Sequence, residues 1–443
     1  MKGRPGWSTP RRLRAYVALV WLTSAVVFAV GLRALNSDRA TLRAIASVTA
    51  PRIVAADELN AHLADLDTEL ANSVLGSAAD RDVANELFEL RRSAASRRLV
   101  DACGGVAAGQ GERVSLVVLT EELGRYLELA IRTQGLFDGG DREGALSTLR
   151  LATSQMHTRI LPAAAALDAS ARREMDAQYA RAWGAAGRYD AEALAAGAIL
   201  LGVLVAAQIF VRGRMRRRLS LPLLAATVLA VVFTWYLVAR FSGARQNLRE
   251  AHDDAFNSIH AMWRARALAY DAAGDQSRWL LDRARAADHE GAFRGKASQL
   301  LSREGAWRAH SPQLKDGRVT GLLVDEANNV TFAGEESAAN DALSYFNDFL
   351  AADDRVRGLE KQGRHAEAVD LAIGARDDGT KATFDRFDAA AQRTLTINQE
   401  AFDGIVATSD RSLRRAEWLD PAFALVIALL AWLGVRPRLR EYA

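Results

Sequence analysis

The chain has a single cysteine, Cys103, in 443 residues, so no disulfide can form within it. Lysine is almost as scarce, appearing only at positions 2, 296, 315, 361 and 381, and the positive charge is carried by arginine. No Walker loop, nucleophile elbow, CxxC or HExxH pattern occurs, so nothing in the sequence points to catalysis or to a bound cofactor. His252 and His260 lie two helical turns apart and are a weak metal pattern without a carboxylate at fixed spacing, so no metal ligand is assigned. No basic face with interleaved aromatics is present, which excludes nucleic acid as an expected partner.

Charge is also missing from four long stretches: Ala15–Leu32, Ala193–Val211, Leu219–Ala239 and Pro421–Val435. The first three run to roughly 18–21 residues, enough to span a hydrocarbon core of about 30 Å. The fourth spans if its flanks reach the interfaces. The first stretch is too long for a signal h-region, and Gly31-Leu32-Arg33-Ala34 is a poor cleavage site, so it reads as retained. No charged residue interrupts the apolar runs, and Gln208, Thr227 and Thr234 are among their polar exceptions, which gives little support to a transport pathway.

Arginines without acids precede the first span (Arg4, Arg11, Arg12, Arg14), fill the short loop between the second and third, and follow the fourth (Arg436, Arg438, Arg440). The positive-inside rule therefore puts both termini and that loop in the cytoplasm. The expected order is a cytoplasmic arm 1–14, span 15–33, outer domain 34–191, span 192–211, cytoplasmic turn 212–218, span 219–241, outer domain 242–418, span 419–435 and cytoplasmic tail 436–443. In an oxidising outer space the lone Cys103 reads as a small buried apolar residue.

Both outer segments have helical periodicity. Leu59, Leu63, Leu66 and Leu70 step by three and four, as do Leu116, Leu119, Leu123, Tyr126, Ala130, Thr133 and Phe137. A seam through Leu146, Leu149, Thr153, Met156, Ile160 and Leu167 has a longer counterpart from Phe384 through Phe387, Ala391, Leu395, Asn398 and Phe402 to Leu413 and Ala416. The stretch 136–146 aligns with 359–369, each stopping a helix at glycine and starting another at once, and Tyr126-Leu127 aligns with Phe349-Leu350 at the same offset. These matches predict a tandem duplication with parallel repeats. The predicted fold class is an all-α membrane protein with four transmembrane helices and two extracytoplasmic antiparallel four-helix bundles. Helix breaks are expected near Ser77–Asp80, Gly104–Gly111 and Gly139–Asp141, and near Gly274–Asp275, Ala309–Gly334 and Gln362–Gly363.

Two groups stand out as candidate contact residues. Arg212, Arg214, Arg216, Arg217 and Arg218 would meet anionic lipid headgroups or an acidic cytoplasmic partner. Trp263, Trp279 and Trp307, with Leu322, Leu323 and Phe332 from the long connection, are candidates for an extracytoplasmic interaction. Long helices running from outer bundles into the membrane suit a device that transmits motion.

Span, helical outer domain and span, used twice, is similar to the sensor regions of bacterial chemoreceptors. Gly321-Leu322-Leu323-Val324-Asp325-Glu326-Ala327-Asn328-Asn329-Val330-Thr331-Phe332-Ala333-Gly334-Glu335, Gly363-Arg364-His365-Ala366-Glu367-Ala368-Val369 and Ile397-Asn398-Gln399-Glu400-Ala401-Phe402-Asp403 carry a closer likeness. With the four-span topology, they resemble a family of four-span proteins of high-GC Gram-positive bacteria that is linked to a periplasmic glutamine-binding lipoprotein and to serine/threonine protein kinase G. The resemblance implies a non-enzymatic relay of amino-acid availability from the solute-binding lipoprotein to the cytoplasmic kinase, and it supplies no ligand-contacting residues. Direct small-molecule sensing by the bundles and a cell-envelope scaffold are the alternatives.

Overall fold

The computed structural model describes residues 9–103, 110–215, 220–303 and 319–440. It is almost wholly helical: α1 (Thr9–Ala44), α2 (Ala50–Asn72), α3 (Ala78–Cys103), α4 (Gln110–Asp138), α5 (Arg142–Gln155), α6 (Leu161–Met215), α7 (Leu221–Arg249), α8 (Asn257–Leu281), α9 (Ala286–Leu300), α10 (Leu322–Asn328), α11 (Glu335–Lys361), α12 (His365–Ile373) and α13 (Thr380–Arg440). The strands β1 (Ser302–Arg303) and β2 (Val319–Thr320) form a short antiparallel pair. Wide π-helical turns, Ile45–Thr49 and Glu250–Phe256, follow the first and third apolar runs, and a third lies at Met156–Ile160. Among the described residues, four helical stretches are long and apolar enough to cross a membrane: Thr9–Asn72, Arg142–Gly213, Leu221–Leu281 and Thr380–Pro437. The chain is an all-α, multi-pass membrane protein.

The contacts divide it into two compact units. One comprises Met1–Ser47, Asp176–Glu250 and Gly404–Ala443. Its core is built from Val20, Val27 and Ala34 of α1, Ala193 and Leu200 of α6, Ala226, Ala230, Phe233 and Leu237 of α7, and Ile427 and Ala431 of α13. The opposite faces are apolar too, with Leu22, Ile199, Ile209, Val228 and Leu425 exposed, as expected for helices solvated by lipid. Close approach depends on glycine. A β-carbon at Gly197 would lie 2.4 Å from Thr234 Oγ1, and one at Gly434 would lie 2.7 Å from Leu223. The rim of the spans is not charge-free as the apolar runs are. Arg240 and Asp420 fall inside the spans as bounded, both are buried, and Arg240 Nη1 donates to Asp420 Oδ2 at 2.6 Å and Nη2 to the Gly31 carbonyl at 3.1 Å. The pair neutralises itself and ties three helices together, so it gives no support to a transport pathway.

The other unit comprises Val48–Met175 and Ala251–Asp403. The two segments expected to form separate bundles share this one unit. Helix α2 packs against α3 of its own half and against α8 of the other half. Thr68 Oγ1 donates to the Tyr270 carbonyl at 2.8 Å, and Ser277 Oγ donates to Asn72 Oδ1 at 2.6 Å. The predicted seams are buried as read, from Leu59, Leu63, Leu66 and Leu70 to Tyr126, Ala130, Phe387, Ala391, Leu395 and Phe402. The second half adds an aromatic cluster, with Phe346 5.2 Å from Phe387 and Phe349 edge-on to Phe384 at 5.5 Å.

The two aligned turns have the same geometry. Gly140 and Gly363 both take positive φ (84° and 76°). Asp141 N–H bonds to the Leu136 carbonyl, and Arg364 N–H to the Leu359 carbonyl, closing the same helix-terminating loop. The expected break at Gly274–Asp275 is absent, because α8 runs through it to Leu281. A β-carbon at Gly274 would sit 2.6 Å from Thr68 Oγ1, so this glycine serves close helix packing and not a turn. The connection before Gly334 contains β2 and α10, and part of it, with Gly104–Gly109, lies outside the described residues.

Candidate functional site

Four polar residues of α2, Asp65, Thr68, Glu69 and Asn72, fall on one stripe beside the leucine seam. That stripe does not face water. It forms one wall of a cavity of about 290 Å³ between the two halves of this second unit, Val48–Met175 and Ala251–Asp403. Helix α3 contributes Leu87 and Arg91, α8 contributes Tyr270 and Gln276, and α11 contributes Phe349. The first turns of α13 supply Thr380, Lys381, Phe384, Asp385 and Asp388.

Most charges around the cavity are matched. Arg91 pairs with Asp65, and its guanidinium lies 6.0 Å from the Tyr270 ring centre. Arg266 grips both oxygens of Asp388, at 2.8 and 3.0 Å, and donates to Gln392 at 2.7 Å. Lys381 lies 3.3 Å from Asp385. Glu69 accepts from Asn72 Nδ2 at 3.2 Å, and Lys381 and Arg91 act on it from beyond ion-pair distance. Burial, reinforced by the charge of Asp65, pushes the Glu69 carboxyl up to about 8. Burial also raises Asp65 to about 6 against the pull of Arg91.

Next to this cavity the halves are joined by a buried network. Arg278 donates to Asp67 at 2.7 Å and to Asp275 at 2.8 Å, and Tyr126 donates its hydroxyl to Asp67 at 3.1 Å. Lys296 bridges Asp275 and Asp271, and His157 Nε2 lies 3.0 Å from Asp271. Burial alone would raise Asp271, but His157, Lys296 and Arg278 hold it well below the usual carboxylate range.

A third grouping joins α2, α6 and α8. His260 Nδ1 lies 2.9 Å from Asp57 Oδ2 and 3.7 Å from Asp168 Oδ1, and the three donor atoms fall within 4.8 Å of one another, close enough for a metal ion. Burial keeps His260 near 4 and raises Asp168 to about 6, with Arg172 facing both acids. The pattern could not be read from His252 and His260 alone, since the carboxylates come from other helices. His252 instead contacts Asp253 at 2.7 Å.

The residues singled out in the sequence lie elsewhere. Trp263 is buried, with the Arg266 guanidinium 4.6 Å from its ring, and Trp279 is half-buried beneath Arg357 at the same distance. Leu323 is buried, and Leu322 and Phe332 are half-buried. Arg212 is exposed on α6. Trp307, Arg216, Arg217 and Arg218, and the side chains of Arg214 and Cys103, lie outside the described residues. The cavity residues went unnoticed because acids at helical spacing read as a solvated face. Their position beside an unbroken leucine seam was the available signal.

Residues 41–180 match the model of an actinobacterial sensor domain. The match runs from the end of α1 into α6 and includes Asp65, Glu69 and Arg91. No curated protein and no solved structure matches the chain. The match to a sensor-domain model suggests signal sensing, and the four apolar helices suggest a membrane setting for it.

Proposed function

We propose that the protein is a non-enzymatic transmembrane sensor whose small-molecule ligand occupies the cavity between α2, α8 and α13. One observation carries this reading. Helix α13 lines the cavity with Thr380, Lys381, Phe384, Asp385 and Asp388, and the same unbroken helix contains the apolar run Pro421–Val435. A ligand that favours one position of the first turns of α13 therefore biases the position of a membrane span, which is what a relay requires. The sensor-domain match over the opposite wall supports the same reading.

Occupancy can be imitated without knowing the ligand. Ala273→Trp would place an indole in the cavity, and spin labels at Leu22 and Leu429, on a Cys103→Ser background in lipid nanodiscs, would report on α1 and α13. The expected result is a shifted distance distribution in the filled variant. An unchanged distribution in a folded protein would sink the relay.

The topology with both termini inside is part of the proposal through the distribution of arginine, and the amino-acid signal, the solute-binding lipoprotein and the cytoplasmic serine/threonine kinase through the family resemblance alone. Crosslinking from membranes, with and without amino acids, tests those partners. Membrane lipids are the remaining contact, at the arginine-rich 212–218 turn.

A further inference from the structure

We propose that the cavity of the second unit is a receptor for an organic ammonium ion, with Glu69 as the anchoring carboxylate. The inference rests on the sensor reading above and names the ligand class of the same cavity.

Charge pairing is the first argument. Asp65, Asp388 and Asp385 each have a cation of the protein beside them, respectively Arg91, Arg266 and Lys381. Glu69 forms no ion pair among the described residues: Asn72 supplies it with a single N–H, and Arg91 and Lys381, engaged with Asp65 and Asp385, act on it only from longer range. A half-buried carboxylate with free acceptor sites is completed by a donor that brings positive charge. The second argument is the wall beside it. Tyr270 and Phe384 lie 5.1 Å apart with their rings tilted by 55°, and Phe349 meets Phe384 edge-on. Aromatic faces beside a carboxylate attract ammonium groups and contribute nothing comparable to a neutral polyol or an anion. Size is the third. A volume of about 290 Å³ lies at the lower end of the range for organic-ligand pockets, and it is too large and too aromatic for a lone hydrated metal ion.

The position of Glu69 has a further consequence. In the empty cavity the facing charges are Asp65, Asp385 and Asp388 against Arg91 and Lys381, and burial keeps the Glu69 carboxyl largely protonated at neutral pH. An arriving ammonium favours the ionised form, so binding releases a proton from Glu69.

The test is calorimetry on the full-length protein in nanodiscs with methylamine, 1,4-diaminobutane and 2-phenylethylamine, and with 1,4-butanediol as the uncharged counterpart of the diamine. At least one amine should bind, with the diol inert. Glu69→Gln should weaken that amine about 10- to 100-fold, the expected loss of a charge-assisted hydrogen bond, while melting no lower than the parent protein. Titration near pH 7 in buffers of different ionisation heat should show proton release that vanishes in Glu69→Gln. Failure of all three amines, equal binding of diamine and diol, or unchanged affinity in Glu69→Gln would overturn the assignment. Divalent metal ions that bind with higher affinity than any amine and lose that binding in Glu69→Gln would do the same. The Ala273→Trp experiment reads motion and not ligand chemistry, so a failed amine beside a shifted distance removes only the ligand class.

Discussion

In the unit formed by Met1–Ser47, Asp176–Glu250 and Gly404–Ala443, helices meet at glycines and at separate ion pairs, of which Arg240–Asp420 is buried and Arg33–Glu192, Arg39–Glu417 and Arg245–Asp190 are more exposed. In the unit formed by Val48–Met175 and Ala251–Asp403, they meet at a chain of buried charges running from Tyr126 through Asp67 and Arg278 to Asp275, Lys296, Asp271 and His157. The difference follows from solvent. Lipid gives apolar side chains no reason to leave it, so membrane helices gain from backbone proximity and dispersion, which small residues allow. Water drives apolar burial in the second unit without much geometric choice. There a buried ion network adds choice of partner, because a slipped helix leaves charges uncompensated.

The sharpest way to break the contrast is Arg278→Ala, which strands Asp67 and Asp275 in the core. It should cost about 3–5 kcal/mol and lower the midpoint of urea unfolding followed by tryptophan fluorescence. A midpoint within error of the parent would mean that the network has no structural weight. Gly274→Val probes contact between the halves of the same unit. Its β-carbon meets Thr68 Oγ1, so the loss should be about 1–3 kcal/mol, partly restored by Thr68→Ala. Independence of the two substitutions in a double-mutant cycle would count against that contact.

Gly31→Ala applies the same logic to the membrane unit. The added methyl approaches Asp420 Oδ2 at 2.9 Å and Leu237 at 3.3 Å. Part of this clash is with a side-chain end that can yield, so a loss of about 1 kcal/mol is expected, read as a lower melting temperature in detergent. A gain in melting temperature would show that the ion pair tolerates displacement.

The smallest effect concerns pH. Burial, with Glu335 adding to it, raises Glu326 from 4.5 to about 8. The folded state then holds a proton that the unfolded chain has lost, so this contribution is complete below about 4.5 and fades as pH rises through about 8. Glu326→Gln should come close to the parent at pH 5 and exceed it at pH 8. Parallel stability curves across that interval would refute the assignment.

Period and punctuation made much of this architecture legible before any coordinates. The apolar runs mark the four helices able to cross a membrane, the leucine and phenylalanine seams mark the core, and Gly140 and Gly363 mark equivalent turns. The cavity was not legible, for a physical reason. Asp65 and Glu69 of α2 are buried only because α8, some 200 positions away in the chain, packs over them, and a single sequence holds no local trace of that contact. Gly274 illustrates the same limit. Read locally it breaks a helix, but across α2 and α8 it is the space that Thr68 requires.

The wide turns at Ile45–Thr49 and Glu250–Phe256 change how the long helices must be counted. Such a turn stores an extra residue, so a heptad register carried straight through it points about 100° away from the face the chain really presents. Deleting one residue inside the joint restores ordinary α geometry and leaves both flanks aimed as before. The same deletion a few positions along would swing every side chain beyond it, so these joints are where the protein can tolerate a change in length.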